Sequence, residues 1–273
     1  GQKTLRITGG VKICVPPLPS PFLPKIHRMY QRKPMGGSKV AHSTMQTIIV
    51  SRQGDVTGDG VLDEVWLAGT QNEDSMRITD ITLLVKNGRT GRITQVALAE
   101  NAGFEPTLLL CDFTGDGVLD VKVSIQSGGS GGFVFTYIYS FVNNQARLLF
   151  SGDRYLDGRE FRAFYADGFV VVVEDVTRGL AFRIDVSQDP AAADLYNPDG
   201  TLKEPTEANV GPFIMALPVI LDENSDVCSL IALTRVFGTF AADTLGYIQD
   251  YLTWNGTMFE TVREDLAISP VEA

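Results

Sequence analysis

Asp55-Val56-Thr57-Gly58-Asp59-Gly60-Val61-Leu62-Asp63 returns almost letter for letter as Asp112-Phe113-Thr114-Gly115-Asp116-Gly117-Val118-Leu119-Asp120. In each copy oxygen-bearing side chains fall at positions 1, 3, 5 and 9, with Gly at 4 and 6. A tightly coiled backbone turns such alternate side chains toward one centre, and a hard cation such as Ca2+ takes about 6–8 oxygen ligands. The expected ligands are the side chains of Asp55, Thr57, Asp59 and Asp63 with the carbonyl of Val61, and those of Asp112, Thr114, Asp116 and Asp120 with the carbonyl of Val118. Three carboxylates at close range repel one another unless a positive charge offsets them. Gly60 and Gly117 stand where the chain must turn sharply, at the positive φ that glycine tolerates.

An EF-hand shares the start of this pattern but requires Glu at position 12 and a helix beyond it. Position 12 is Trp66 in one copy and Val123 in the other, and both exits read as strands. The EF-hand is therefore excluded. The competing reading is an acidic, Gly-rich turn that holds no metal.

The charge is unevenly spread over the 273 residues. Residues 1–54 hold nine of the 23 Lys and Arg and none of the 33 Asp and Glu, so the remainder is strongly acidic within a net charge of −10. An acidic body does not bind nucleic acid broadly. Residues 1–44, with Pro16-Pro17, Pro19, Pro21, Pro24 and Pro34, read as a Pro-rich basic arm or linker, since proline at that density disfavours regular ladders. Cys14, Cys111 and Cys228 are too few and too scattered for a disulfide framework or a zinc site, and Cys111 and Cys228 are expected as buried apolar side chains rather than a pair. No stretch reaches the roughly 18 apolar residues of a membrane span.

From Met45 onward, short runs of β formers are bounded by Gly and Asn turns. Their order recurs with a period of about 55 residues, giving units of roughly 45–103, 104–155, 156–211 and 212–273. The third unit keeps only Asp167-Gly168 at the loop, and the fourth keeps Asp222, Asn224 and Asp226 but has Val227 and Leu230 where Gly and Asp belong. A third metal site there is expected to be weak or lost. Asp189, Pro190 and three alanines predict one short helix before Tyr196.

Asp-x-Thr-Gly-Asp-Gly-x-x-Asp between two strands, repeated at this period, resembles the FG-GAP or VCBS repeat family. The resemblance implies a β-propeller-like array of about four four-stranded antiparallel blades over residues 45–273, with Ca2+ between the first and second strands of a blade. Thr at position 3, two degenerate units and a count of four where integrin-type propellers have seven depart from that pattern.

Gly128-Gly-Ser-Gly-Gly132 lacks the Lys-Ser/Thr of a phosphate cradle and reads as a hairpin loop. Both histidines, His27 and His42, lie in the arm, leaving no Ser-His-Asp triad in the β body. No spacing singles out a pair of acids for glycoside cleavage. Alternating aromatics at Phe133, Phe135, Tyr137, Tyr139 and Phe141, and again at Tyr247 and Tyr251 near Trp254, read as packing between units, with a sugar-stacking platform as the alternative. The expectation is an all-β, non-enzymatic, calcium-binding module, secreted or held in the cell envelope, that binds a protein or carbohydrate ligand. The alternative is a hydrolase or lyase acting on envelope polysaccharide.

Overall fold

Val65 and Leu67, Leu83 and Val85, and Val123 and Ile125 are buried while Trp66, Leu84 and Ser124 between them are less so, the period that turns successive side chains to opposite faces of a strand. The computed structural model describes residues 5–6, 12–13, 46–71, 74–129 and 131–268. A two-residue ladder pairs β1 (Leu5–Arg6) with β2 (Lys12–Ile13). The proline-rich part of the predicted arm lies outside the described residues, as does Cys14.

Four antiparallel sheets follow, each with its strands in chain order. Sheet one is β3 (Thr47–Gly54), β4 (Asp63–Gln71), β5 (Ile78–Lys86) and β6 (Ile93–Ala97). Sheet two is β7 (Phe104–Cys111), β8 (Asp120–Gln126), β9 (Val134–Ser140) and β10 (Arg147–Ser151). Sheet three is β11 (Phe161–Ala166), β12 (Val170–Asp175) and β13 (Leu180–Asp185); sheet four is β14 (Asn209–Val219), β15 (Ser229–Phe237), β16 (Thr244–Trp254) and β17 (Phe259–Ala267).

Sheet three corrects the expectation of four strands per unit. The chain after β13 forms no fourth full strand: Tyr196 and Leu202 make an isolated bridge, and Glu207 then makes a single bridge to Phe164 on the free edge of β11, the Ala208 amide donating to the Ala163 carbonyl at 2.9 Å. The predicted helix shrinks to a 3-10 turn, Ala193–Leu195. Asp189 is not its cap, which is Ala192 without a side-chain bond; Asp189 instead accepts the Ala191 amide at 2.9 Å in the preceding turn, and the bonds that follow run to the third residue back, Ala192 to Asp189 and Leu195 to Ala192, which is 3-10 rather than α geometry.

The sheets pack in an order that the chain order does not give. Leu108, Val121, Val123, Ile125 and Tyr137 of sheet two meet Val65, Leu67, Leu83 and Val85 of sheet one. Leu109, Cys111 and Ile138, on the other face of sheet two, meet Ala216, Leu230, Ala232 and Leu252 of sheet four. Farther along the same strands, Val236 and Ile248 meet Tyr165, Val171, Val173 and Ile184 of sheet three. Sheet four therefore leans on sheet two at one end and on sheet three at the other. Tyr137, Tyr139 and Phe141 are buried in these joints, so that part of the aromatic run is packing, while Phe133 and Phe135 are half-buried.

Cys111 and Cys228 are joined by a disulfide, with Cα atoms 6.2 Å apart. This corrects the expectation of two unpaired side chains. Cys111 ends β7 and Cys228 immediately precedes β15, so loops 117 residues apart meet where sheets two and four touch.

Candidate functional site

The two acidic turns have one backbone form. Gly58 and Gly60 have φ of 77° and 81°, Gly115 and Gly117 of 75° and 84°. Asp55 accepts the amides of Gly58 at 2.7 Å and Gly60 at 2.8 Å; Asp112 accepts those of Gly115 at 2.6 Å and Gly117 at 2.9 Å. Asp63, wholly buried, accepts the Val56 and Thr57 amides, and Asp120 accepts those of Phe113 and Thr114. The carboxylates at positions 1 and 9 thus fasten the turn to itself. Asp59 and Asp116 likewise each accept the amide two residues on, from Val61 and Val118.

What separates the two is the neighbouring β5–β6 turn. Asn87 donates its amide to Asp59 Oδ2 at 2.9 Å and to Thr57 Oγ1 at 3.0 Å, the Gly88 amide donates to Asp63 Oδ1 at 2.9 Å, and Arg89 Nε lies 3.5 Å from Asp59 Oδ2. The Asn87 bond foremost, with help from the Val61 amide and Arg89, holds the Asp59 carboxyl below the usual range. Arg89, whose side chain is 59% exposed, thus lies beside the first turn and offsets part of its charge.

In the second turn, among the described residues, Asp116 Oδ2 and Asp120 Oδ1 have no such donor, and Asp116 is exposed. Burial, with the nearby charges of Asp116 and Asp112, pushes Asp120 up to about 7. Among the described residues no three His, Cys, Asp or Glu side chains already converge as a metal site requires. At 55–63 a bound Ca2+ would have to displace the exposed Arg89 side chain from Asp59. The residues at 112–120 fit by charge and donor type, with Asp116 free to turn inward. In the fourth unit Asp222 is closed on Asn224, whose amide it accepts at 2.9 Å, and Ser229 stands in the ladder where Asp63 and Asp120 stand.

A second polar centre carries no loop motif and was not legible as a site. Arg159, two residues before the start of β11, reaches Asp175, Asp250 and Glu264, three carboxylate side chains without solvent exposure. Its guanidinium lies 4.7 Å from the Phe161 ring centre. Beside it opens a cavity of about 560 Å3 walled by Phe150, Tyr155, Arg159, Met258 and Phe259, among others. Asp250 and Glu264 do not line that cavity. A signal did exist: Asp250 falls between Ile248 and Leu252, in step with a buried face where a carboxylate is out of place unless paired.

Residues 159–267, from Arg159 to the last residue of β17, match the model of the YybI C-terminal domain. The chain is also similar to "Uncharacterized protein YybI" of Bacillus subtilis (strain 168), 37% identical over 225 residues that cover 82% of this chain and 86% of the relative. The chain belongs to the YybI family. That finding overturns the resemblance to FG-GAP or VCBS repeats, for which no match accompanies it. The physical reason lies in the two turns: an Asp-Gly-rich stretch folds the same way when its carboxylates serve its own amides, so the motif alone does not specify that family. No solved structure matches the chain. The stretch shared with the YybI C-terminal domain contains Arg159, Asp175, Asp250 and Glu264, and lies beyond both acidic turns. Among the described residues no helix is long and apolar enough to cross a membrane.

Proposed function

We propose that this chain is a non-enzymatic binding or adhesion scaffold that works outside the cytoplasm, secreted or in the cell envelope, with its sheets set like blades of a propeller. The observation that carries the reading is the outward face of sheet four. Leu217, Ile231 and Tyr251 lie in one row across three strands, with Met215 and Leu233 in the next. Leu217 is 44% exposed, and Arg263 stands 5.2 Å from the Tyr251 ring centre. Half-exposed apolar rows flanked by a cation suit a protein or carbohydrate ligand of the envelope, aromatic and Arg side chains being common anchors. The disulfide supports the location, since such bonds persist mainly in oxidising compartments.

A repeated bond supports the blade-like arrangement. The Leu119 amide, just before β8, donates to the Asp55 carbonyl, and the Cys228 amide, just before β15, donates to the Asp112 carbonyl. The same contact thus relates sheet two to sheet one and sheet four to sheet two. Ca2+ enters this reading at one turn only: Asp112, Thr114, Asp116, Asp120 and the Val118 carbonyl would hold it, and it would supply the positive charge that Arg89 supplies to the first turn.

The test is retention of the full chain on isolated cell-wall and membrane fractions, with Leu217→Asp and Tyr251→Ala beside the parent. Loss of retention at an unchanged melting temperature is the expected result, and undiminished retention in both variants would sink the assignment of that face. Thiol titration of the denatured protein should find one free thiol per chain; three would remove the support for an oxidising location.

A further inference from the structure

Asp250 and Glu264 stand directly opposite each other on β16 and β17, the position where like charges on neighbouring strands repel. Both are served on one side only. Asp250 Oδ2 accepts the Tyr155 hydroxyl at 2.5 Å and Arg159 Nη1 at 2.5 Å. Glu264 Oε2 accepts Arg159 Nη2 at 2.8 Å and lies 3.4 Å from Arg178 Nε. Asp175, at the end of β12, has both oxygens occupied, Oδ2 by Arg159 and Oδ1 by the Arg178 amide at 2.9 Å. Asp250 Oδ1 and Glu264 Oε1 are buried with no partner.

The charges do not balance if every group is ionised. Two guanidinium groups, Arg159 and Arg178, face three carboxylates, which leaves one negative charge in a place shielded from water, where it is strongly disfavoured. One proton removes that excess and gives both idle oxygens a partner.

We propose that Asp250 and Glu264 hold a single proton between Oδ1 and Oε1, and that this proton is a latch between sheets three and four that tightens as the surroundings acidify. Sheet four supplies the carboxyl pair; the sheet-three side supplies Asp175, Arg178 in the β12–β13 turn, and Arg159 just before β11. Tyr155, from the turn after β10, completes the set of titratable and charged groups that face the pair. Burial first, then the bond with Asp250 and the charges of Asp250 and Asp175, push Glu264 up to about 8 against the pull of Arg159. A carboxyl with a raised folded value keeps its proton on folding and releases it on unfolding. Its contribution is therefore full below the ordinary glutamate value of 4.5, falls as pH rises toward about 8, and changes no further above that. The latch goes beyond the envelope reading and does not depend on it.

The experiment is denaturant unfolding of the full chain between pH 5 and 8, parent against Glu264→Gln. Glutamine keeps the shape, and its amide N–H takes the place of the proton. The parent should lose ground to the variant by up to about tenfold in the folding equilibrium per pH unit, the signature of one linked proton. Parallel pH profiles would overturn the latch. Asp120, also raised, is common to both proteins and cancels in the comparison. Should Glu264→Gln fail to fold, infrared spectra of the double variant Asp120→Asn, Asp243→Asn at pH 6 to 7 decide the matter, since burial raises Asp243 as well: a protonated-carboxyl band supports the latch, and its absence refutes it.

Discussion

Replacing both Cys111 and Cys228 with serine should cost this protein a large part of its stability. The bond closes a loop of 117 residues, and the chain-entropy relation for a cross-link of that length gives about 5 kcal/mol at 25 °C. Two further effects act on the folded state. Cys228 is buried beside Phe113 and Leu230, so a serine hydroxyl there is desolvated. The Cys228 amide, 2.7 Å from the Asp112 carbonyl, is the backbone contact that the cross-link holds in place. Against a typical total of about 5–15 kcal/mol, a loss of this size leaves a marginal fold. Guanidinium unfolding of the oxidised parent and the double variant is the direct assay, with a melting temperature lower by roughly 10 °C as its thermal counterpart. The dependence on denaturant should also be steeper for the variant, because its unfolded chain, free of the cross-link, exposes more surface. Parent and variant that agree within about 0.5 kcal/mol would show that the loop-entropy reasoning fails for this pair.

Arg159→Met strips the joint of its central cation and should destabilise the chain by about 3–5 kcal/mol, the usual cost of breaking a buried ion pair from one side, measured by urea unfolding. Lys122, 7% exposed, makes one hydrogen bond, to Ser124 Oγ at 2.6 Å, and burial pushes it down to about 8. Its ammonium is disfavoured in the fold, so stability from this group rises with pH from about 8 to its ordinary value of 10.5, and Lys122→Met should stabilise the protein at pH 7 by about 1–3 kcal/mol. A variant no more stable at pH 7 than the parent would contradict that. Arg89→Ala should give the first acidic turn the same unoffset charge as the second. Titration calorimetry with CaCl2 is expected to detect one site in the parent, none in Asp116→Ala, and a second in Arg89→Ala; no heat of binding in any of the three would end the calcium proposal.

The strands were legible because runs of β formers end at Gly and Asn turns. Ile78 to Val85, Val121 to Ile125 and Ala146 to Phe150 carried the signal in their own side chains, and the observed strands extend these runs by a few residues at most. The period of about 55 residues was legible for the same reason. Three things were not, and each is a long-range property. The disulfide joins residues 117 apart, and no local spacing distinguishes a paired cysteine from a buried one. The Arg159 joint gathers partners 16, 91 and 105 residues away, with no spacing that recurs. Lys122 alternates with valines on β8 and therefore reads as solvent-facing, yet sheet four covers that side, so a polar position becomes a buried one.

The acidic turns show how one backbone solution can stay constant while its electrostatics change. Positions 1 and 9 serve the same purpose in both copies, since Asp55 and Asp63, like Asp112 and Asp120, accept amides of their own turn. Those bonds would hold the turn with or without a metal, which is why sequence identity over nine residues says more about shape than about cargo. Position 5 decides the cargo. Asp59 is covered by Asn87 and Arg89, while Asp116 faces solvent, and this follows from the β5–β6 turn folding over its acidic loop. The β9–β10 turn instead donates the Asn143 amide to the Thr57 carbonyl, reaching back to the first loop. Geometry at the third turn of each unit, and not the acidic motif itself, thus determines where a divalent ion has room. An exchange of residues 87–89 for their counterparts after β9 should carry calcium affinity with the turn, and a chimera that leaves it at 112–120 alone would place the determinant elsewhere.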